Sequence, residues 1–125
     1  MYQINHWLAT TAIETKDAPH GYFIGDRWFA LLDVRDLKDD GTNKLIDYAK
    51  YIFAGDHMIN DVMGYGLIIG CDAGISRSNA IALGVLTLEM NFYDAWELIK
   101  EKVPICDVDP SHIVKLKMLF GVTLP

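Results

Sequence analysis

Between Leu67 and Met90 the chain reads Leu-Ile-Ile-Gly, then Cys-Asp-Ala-Gly-Ile-Ser-Arg-Ser, then Asn-Ala-Ile-Ala-Leu-Gly-Val-Leu-Thr-Leu-Glu-Met. The apolar run 67–69 predicts a buried strand, and the run behind the octet predicts a helix over 79–90. A strand joined to a helix by a tight loop points to a layered α/β domain. The loop then lies at the carboxyl end of a central strand, where such folds place their ligands. Successive backbone N–H groups in this geometry converge on an anion at the helix N-terminus. A thiol at the start of the loop, Cys71, and a guanidinium at its end, Arg77, face whatever anion binds there.

Each residue type in the octet has a physical role. An ordinary thiol is mostly protonated at neutral pH, and a helix N-terminus with a nearby cation favours the nucleophilic thiolate of Cys71. Arg77 can grip two oxygens of a phosphate at once and never loses its charge. Gly74 permits a bend at positive φ that turns the amides of Asp72, Ala73, Gly74, Ile75, Ser76 and Arg77 inward. Ser78 is placed to hydrogen-bond the sulfur, which stabilises a thiolate there.

Elsewhere the chain alternates strands and helices. Residues 3–9 suggest an edge strand, 10–21 a loop, and Tyr22–Ile24 and Trp28–Val34 two strands split by a turn at Gly25-Asp26. After a charged loop over 35–41, Leu45, Ile46, Ala49, Ile52 and Phe53 fall on one helical face. Ile59 and Val62 continue that face, and Gly64 and Gly66 stop it. Helices follow over 91–102, with Phe92, Ala95, Trp96, Leu98 and Ile99 inward, and from Asp109-Pro110-Ser111 to Phe120. Ser111 is the expected N-cap and Gly121 the stop. Trp7, Trp28 and Trp96 are expected in the core. The expected fold is α/β: a single domain over residues 1–125 with a small, mostly parallel central sheet and helices on both faces.

The octet resembles the active-site loop of the cysteine-dependent protein tyrosine phosphatases, in particular their dual-specificity branch. The similarity runs from about Leu31 to Gly121 at the level of pattern, and only the loop is highly specific. Low-molecular-weight phosphatases carry a similar loop at their extreme N-terminus, and rhodanese-type sulfurtransferases use a shorter one without the Arg-Ser ending. The resemblance implies a phosphatase domain that dephosphorylates phosphotyrosine, and by extension phosphoserine or phosphothreonine, in a protein or peptide substrate. Catalysis would run through a cysteinyl-phosphate on Cys71, without cofactor or metal. The family's general acid precedes the cysteine by about 31 residues; counting back 31 from Cys71 lands on Asp40 and 32 on Asp39. Asp40 is preferred because Asp40-Gly41 opens a turn, with Asp39 and then Asp36 as alternatives. The variable loop positions Asp72, Ala73, Ile75 and Ser76 add one negative charge and no positive one, which favours single-phosphate esters. The second reading is a phosphopeptide-binding module on the same fold.

One departure stands out: the family usually has a histidine just before the nucleophile, and here that position is Gly70. The four histidines lack metal-ligand spacing, and His112, opening the last helix, reads as a surface residue, the alternative being that it approaches the pocket. The stretch 36–47 mimics a calcium-loop spacing, but Lys38 and Lys44 occupy ligand positions. A net charge of −6 lacks the basic footprint of a nucleic-acid binder and disfavours anionic membranes. No targeting or spanning segment is evident. Cys71 and Cys106 make no disulfide framework, so a reducing cytoplasm and a monomer are expected. Cys106 reads as a structural thiol, the alternative being a protective disulfide with oxidised Cys71.

Overall fold

In the computed structural model, which describes residues 1–61 and 66–123, the strands are β1 (Tyr2–Gln3), β2 (Leu8–Ala12), β3 (Gly21–Ile24), β4 (Arg27–Asp33) and β5 (Gly66–Cys71). The helices are α1 (Leu45–Asp61), α2 (Arg77–Thr87), α3 (Phe92–Lys102) and α4 (Pro110–Phe120). The strands form one sheet in the order β1-β2-β5-β4-β3. Its centre is parallel, β5 lying between β2 and β4, while β1 and β3 pair antiparallel at the edges. The sheet is therefore mixed. Short links between consecutive strands bring antiparallel partners together, whereas parallel ones need a long crossover. Gly25-Asp26 is such a link: Ile24 pairs with Arg27 across it, and Gly25 takes φ 62°. The other edge turns on Asn5, whose Oδ1 accepts from the backbone N–H groups of Trp7 and Leu8 at 2.9 and 2.8 Å.

Every residue of β5 is buried, as befits a continuous apolar strand at the centre of a sheet. Leu67, Ile69 and Cys71 face the main core, which draws residues from all four helices. Ile68 faces the other way, into a smaller cluster with Ala9 and Phe29 that Tyr22, Ile24 and Leu31 surround. These are all strand residues, so the helices gather on one face instead of flanking both. Gly66 makes this closure possible, because the Phe29 ring occupies the space that a Cβ there would fill.

Three local expectations change. The first strand is interrupted, and the expected loop at 10–12 belongs to β2, an inner strand in which Thr10 is buried. α1 buries Tyr48, Ala49, Tyr51 and Ile52, while Ile46 and Phe53 are 67% and 65% exposed. The helix is turned so that its tyrosines enter the core, which becomes favourable once the Tyr48 hydroxyl finds a partner inside. The expected continuation to Val62 and the stop at Gly64 lie outside the described residues. Asp109, one residue before Pro110, caps α4 in place of Ser111: its Oδ1 accepts from the Ser111 backbone N–H at 2.9 Å. Gly121 closes α4 at φ 63°, as expected. Trp7 and Trp96 are half-buried at the margin of the main core, and Trp28, also half-buried, packs edge-on against Phe23. Among the described residues no helix is long and apolar enough to cross a membrane.

Candidate active site

β5 ends at Cys71 and α2 begins at Arg77, so residues 72–76 form the connecting loop. The Cys71 side chain is buried against the main core, its residue only 2% exposed, with Sγ 3.3 Å from Oγ of buried Ser78. Gly74 adopts φ 70°, and a Cβ there would stand 3.0 Å from both the backbone N of Ala12 and the carbonyl carbon of Thr11. The loop thus packs against the end of β2 at a position that only glycine suits. Asn79 fixes it from beneath: its buried Nδ2 donates to the carbonyls of Gly74 and Ile75 at 3.1 and 3.0 Å. The one signal for Asn79 in the sequence is an amide in the first turn of an otherwise apolar helix.

Arg77 is held on several sides. Its Nη1 donates to the carbonyls of Arg35 and Leu37 at 2.6 and 3.0 Å, which clamps the guanidinium onto the loop that follows β4. Its Nη2 donates to Asp72 Oδ2 at 2.7 Å, and its Nε lies 3.7 Å from Asp39 Oδ2. Burial works against the charge of Arg77, but the Asp72 hydrogen bond and the charges of Cys71, Asp72 and Asp39 more than offset it, raising its pKa. The loop therefore already holds one anionic group, the Asp72 carboxylate, on its own guanidinium.

Asp39, and not Asp40, reaches this loop. Asp39 Oδ1 accepts from Ser76 Oγ at 2.7 Å and lies 2.6 Å from His112 Nε2. Asp40 is instead bound within its own turn, accepting from Thr42 N and Thr42 Oγ1 at 3.0 and 2.6 Å, bonds that depress its pKa. Counting residues could not separate two adjacent carboxylates, because α4 decides which of them turns inward. His112 is completely buried and not a surface residue. Its Nδ1 lies 2.7 Å from the hydroxyl of buried Tyr48, which in turn accepts from Asn43 Nδ2 at 3.2 Å. Asn43 and Tyr48 carry no sequence signal for a site, whereas His112 takes the alternative place that its position at the start of the last helix allows. Ser76 joins the pieces, since its Oγ also accepts from the Asp109 backbone N–H at 2.9 Å.

The missing histidine has a structural counterpart. A Cβ at Gly70 would lie 2.6 Å from Cδ1 and Cγ1 of Ile13 and 3.2 Å from Leu31 Cδ1. An isoleucine side chain thus fills the space behind the nucleophile where an imidazole would begin. Cys106 is a free, half-buried thiol packed against the main core, and burial, with the charge of Asp107 adding, pushes its pKa up to about 11. Beside the loop a polar cavity of about 250 Å³ is lined by Asp39, Ser76, Asp107, Val108, Asp109 and Pro110. A roomier apolar groove of about 520 Å³ runs along α4 and includes no residue of the loop. Among the described residues no cluster of His, Cys, Asp and Glu is arranged to hold a metal ion.

Neither a protein-family model nor a curated protein matches the sequence. Solved structures do. Human DUSP28 superimposes with a TM-score of 0.67 over 91% of this chain and 76% of its own, at 18% identity. A mouse dual specificity phosphatase complexed with zinc tungstate gives 0.68 over 92% of this chain and 69% of its own, at 19% identity. The human tyrosine phosphatase-like serine/threonine/tyrosine-interacting protein gives 0.59 over 70% and 58%, at 21% identity. In each case the likeness is one of fold. With its cysteine loop at the end of the central parallel strand, this chain has the fold of the dual-specificity branch of the cysteine-based protein tyrosine phosphatases.

Proposed function

We propose that this chain is a phosphoric monoester hydrolase acting on phosphotyrosine in proteins or peptides, with Cys71 as nucleophile and Asp39 as general acid. The observation that carries the reading is one anion-holding loop: Cys71 opens it, Ser78 contacts the sulfur, and Arg77 holds a carboxylate at 2.7 Å. An incoming phosphate displaces Asp72 and takes its place on Arg77 and the loop amides of residues 72–77. The Cys71 thiolate attacks phosphorus, the S–P bond forms and the P–O bond to the leaving group breaks, while Asp39 gives its proton to the departing oxygen. Water then attacks the cysteinyl-phosphate and loses a proton to Asp39. The S–P bond breaks, inorganic phosphate leaves, and Ser78 stabilises the returning thiolate. Asp72 also disfavours a second phosphate beside the first, so single-phosphate aryl esters are the preferred class.

The test is hydrolysis of a phosphotyrosine peptide by wild type and Cys71→Ser, each with and without EDTA. The expected result is EDTA-resistant turnover by wild type that falls by more than tenfold in the variant, while vanadate still binds. Residual activity within tenfold would remove Cys71 as nucleophile. A second reading, a phosphopeptide-binding module, draws on Ile13 standing behind the nucleophile in place of an imidazole. Tight phosphopeptide binding by wild type without turnover would select it.

A further inference from the structure

We propose that His112 and Tyr48 are positioning residues that hold Asp39 over the loop with one chosen oxygen presented for proton transfer, an inference that rests on the phosphatase reading. Asn43, Tyr48 and His112 are 6%, 0% and 0% exposed. Burying three polar side chains beside an apolar core costs stability unless each is hydrogen-bonded. These three make a continuous chain from the backbone of Lys38 to Asp39.

The direction of the chain follows from its anchored end. The Lys38 N–H donates to Asn43 Oδ1 at 3.0 Å, and Asn43 Nδ2 donates to the Lys38 carbonyl at 2.7 Å. This fixes which end of the amide is which, so Nδ2 also donates to the Tyr48 hydroxyl oxygen. Burial raises the pKa of Tyr48, so its hydroxyl keeps a proton and donates it to His112 Nδ1 at 2.7 Å. An imidazole accepting at Nδ1 carries its hydrogen on Nε2, which faces Asp39 Oδ1 at 2.6 Å. Oδ1 thus receives two donors, from His112 Nε2 and from Ser76 Oγ. Asp39 Oδ2, on the Arg77 side at 3.7 Å, is the oxygen left to carry the transferable proton.

The chain also explains why the acid stays in place. Tyr48 belongs to α1 and His112 to α4, and Lys115 of α4 donates from Nζ to the Asn43 carbonyl at 2.6 Å. Residues 38–43 are therefore tied to two helices that are themselves packed in the main core. Arg77 faces Asp39, and Asp109 interacts electrostatically with His112 and with Asp40.

The experiment compares wild type, His112→Leu, His112→Gln, Tyr48→Phe and Asp39→Asn on two substrates, with thermal melts to show which variants fold. One substrate is a phosphoserine peptide, whose alkoxide leaves only with a proton. The other is an activated aryl phosphate, whose phenolate leaves without one. His112→Leu should lower kcat on the phosphoserine peptide roughly 10²-fold, within the range a general acid supplies, with little change on the aryl phosphate. His112→Gln, which restores a donor near Nε2, should recover most of the loss. Tyr48→Phe should show a smaller loss of the same kind, and His112→Leu should add nothing to Asp39→Asn. Equal losses on both substrates, additivity with Asp39→Asn, or no recovery by Gln would make His112 a packing residue and overturn the proposal. If wild type turns over neither substrate, the phosphatase reading fails separately, whereas turnover of the aryl phosphate alone leaves that reading standing. The chain is then read from nitrogen chemical shifts of the His112 ring. An Nε2–H form that responds to Tyr48→Phe and Asp39→Asn sustains it, and a ring indifferent to both removes it.

Discussion

On the proposed function, Asp72 meets an incoming phosphate first, because its carboxylate occupies the Arg77 fork at 2.7 Å. The pair is partly exposed, so its own contribution is modest. Losing it removes a competitor from the loop, and we expect Asp72→Asn to lower the Kd for vanadate about three- to tenfold. Unchanged or weaker binding, measured by calorimetry, would mean that Asp72 orders the loop and does not compete for it. Gly70 offers a second test. Gly70→His drives a ring into Ile13 and should cost about 1–3 kcal/mol in urea melts, a common range for overpacking. Ile13→Ala in the same chain should recover part of that loss, and additive losses would refute the steric account. At this scale the octet was largely legible, since the positions of Cys71, Gly74, Arg77 and Ser78 depend on local geometry. Asp39 was not, because its orientation depends on a side chain 73 residues away.

At the scale of elements, periodicity found each helix but did not set every face. α1 carries apolar residues nearly all round, so the choice between Ile46 or Phe53 and Tyr48 or Tyr51 rests on what the hydroxyls meet, and Tyr48 meets His112. β2 was half missed because Thr10 and Thr11 resemble a loop until they pair with Ile69 and Gly70. The cap of α4 is a test of its own. The Ser111 hydrogen bonds hold the Asp109 carboxyl below its usual range, with the backbone N–H and hydroxyl of that residue both donating. A folded pKa below the unfolded one gives stability that is present above the ordinary aspartate range and lost as the pH falls through the depressed value. Asp109→Ala should therefore lower Tm by about a few degrees at pH 7, with the deficit shrinking in acid below the usual aspartate range. A deficit independent of pH would point to packing at the cap.

On the scale of the whole molecule, the α/β layering was readable because β5 is one uninterrupted apolar run, and such a run demands cover on both faces. What supplies the cover was not readable. Helices do it on one face, and on the other the side chains of neighbouring strands lie over Ile68. The turn at Gly25-Asp26 announced the β3–β4 edge, whereas the β1–β2 pairing around Asn5 escaped the sequence. The Ser76 hydroxyl carries a consequence for the order of assembly. It bonds Asp39 and Asp109, which lie 37 and 33 residues away on either side. Contacts of such separation form only after long loops have closed, so they are slow to appear during folding. The sheet and its helices can collapse while this three-way junction is still open. On the proposed function, activity should accordingly lag behind secondary structure when the denatured chain is diluted from urea, and activity returning in step with helical ellipticity would show that the junction closes early.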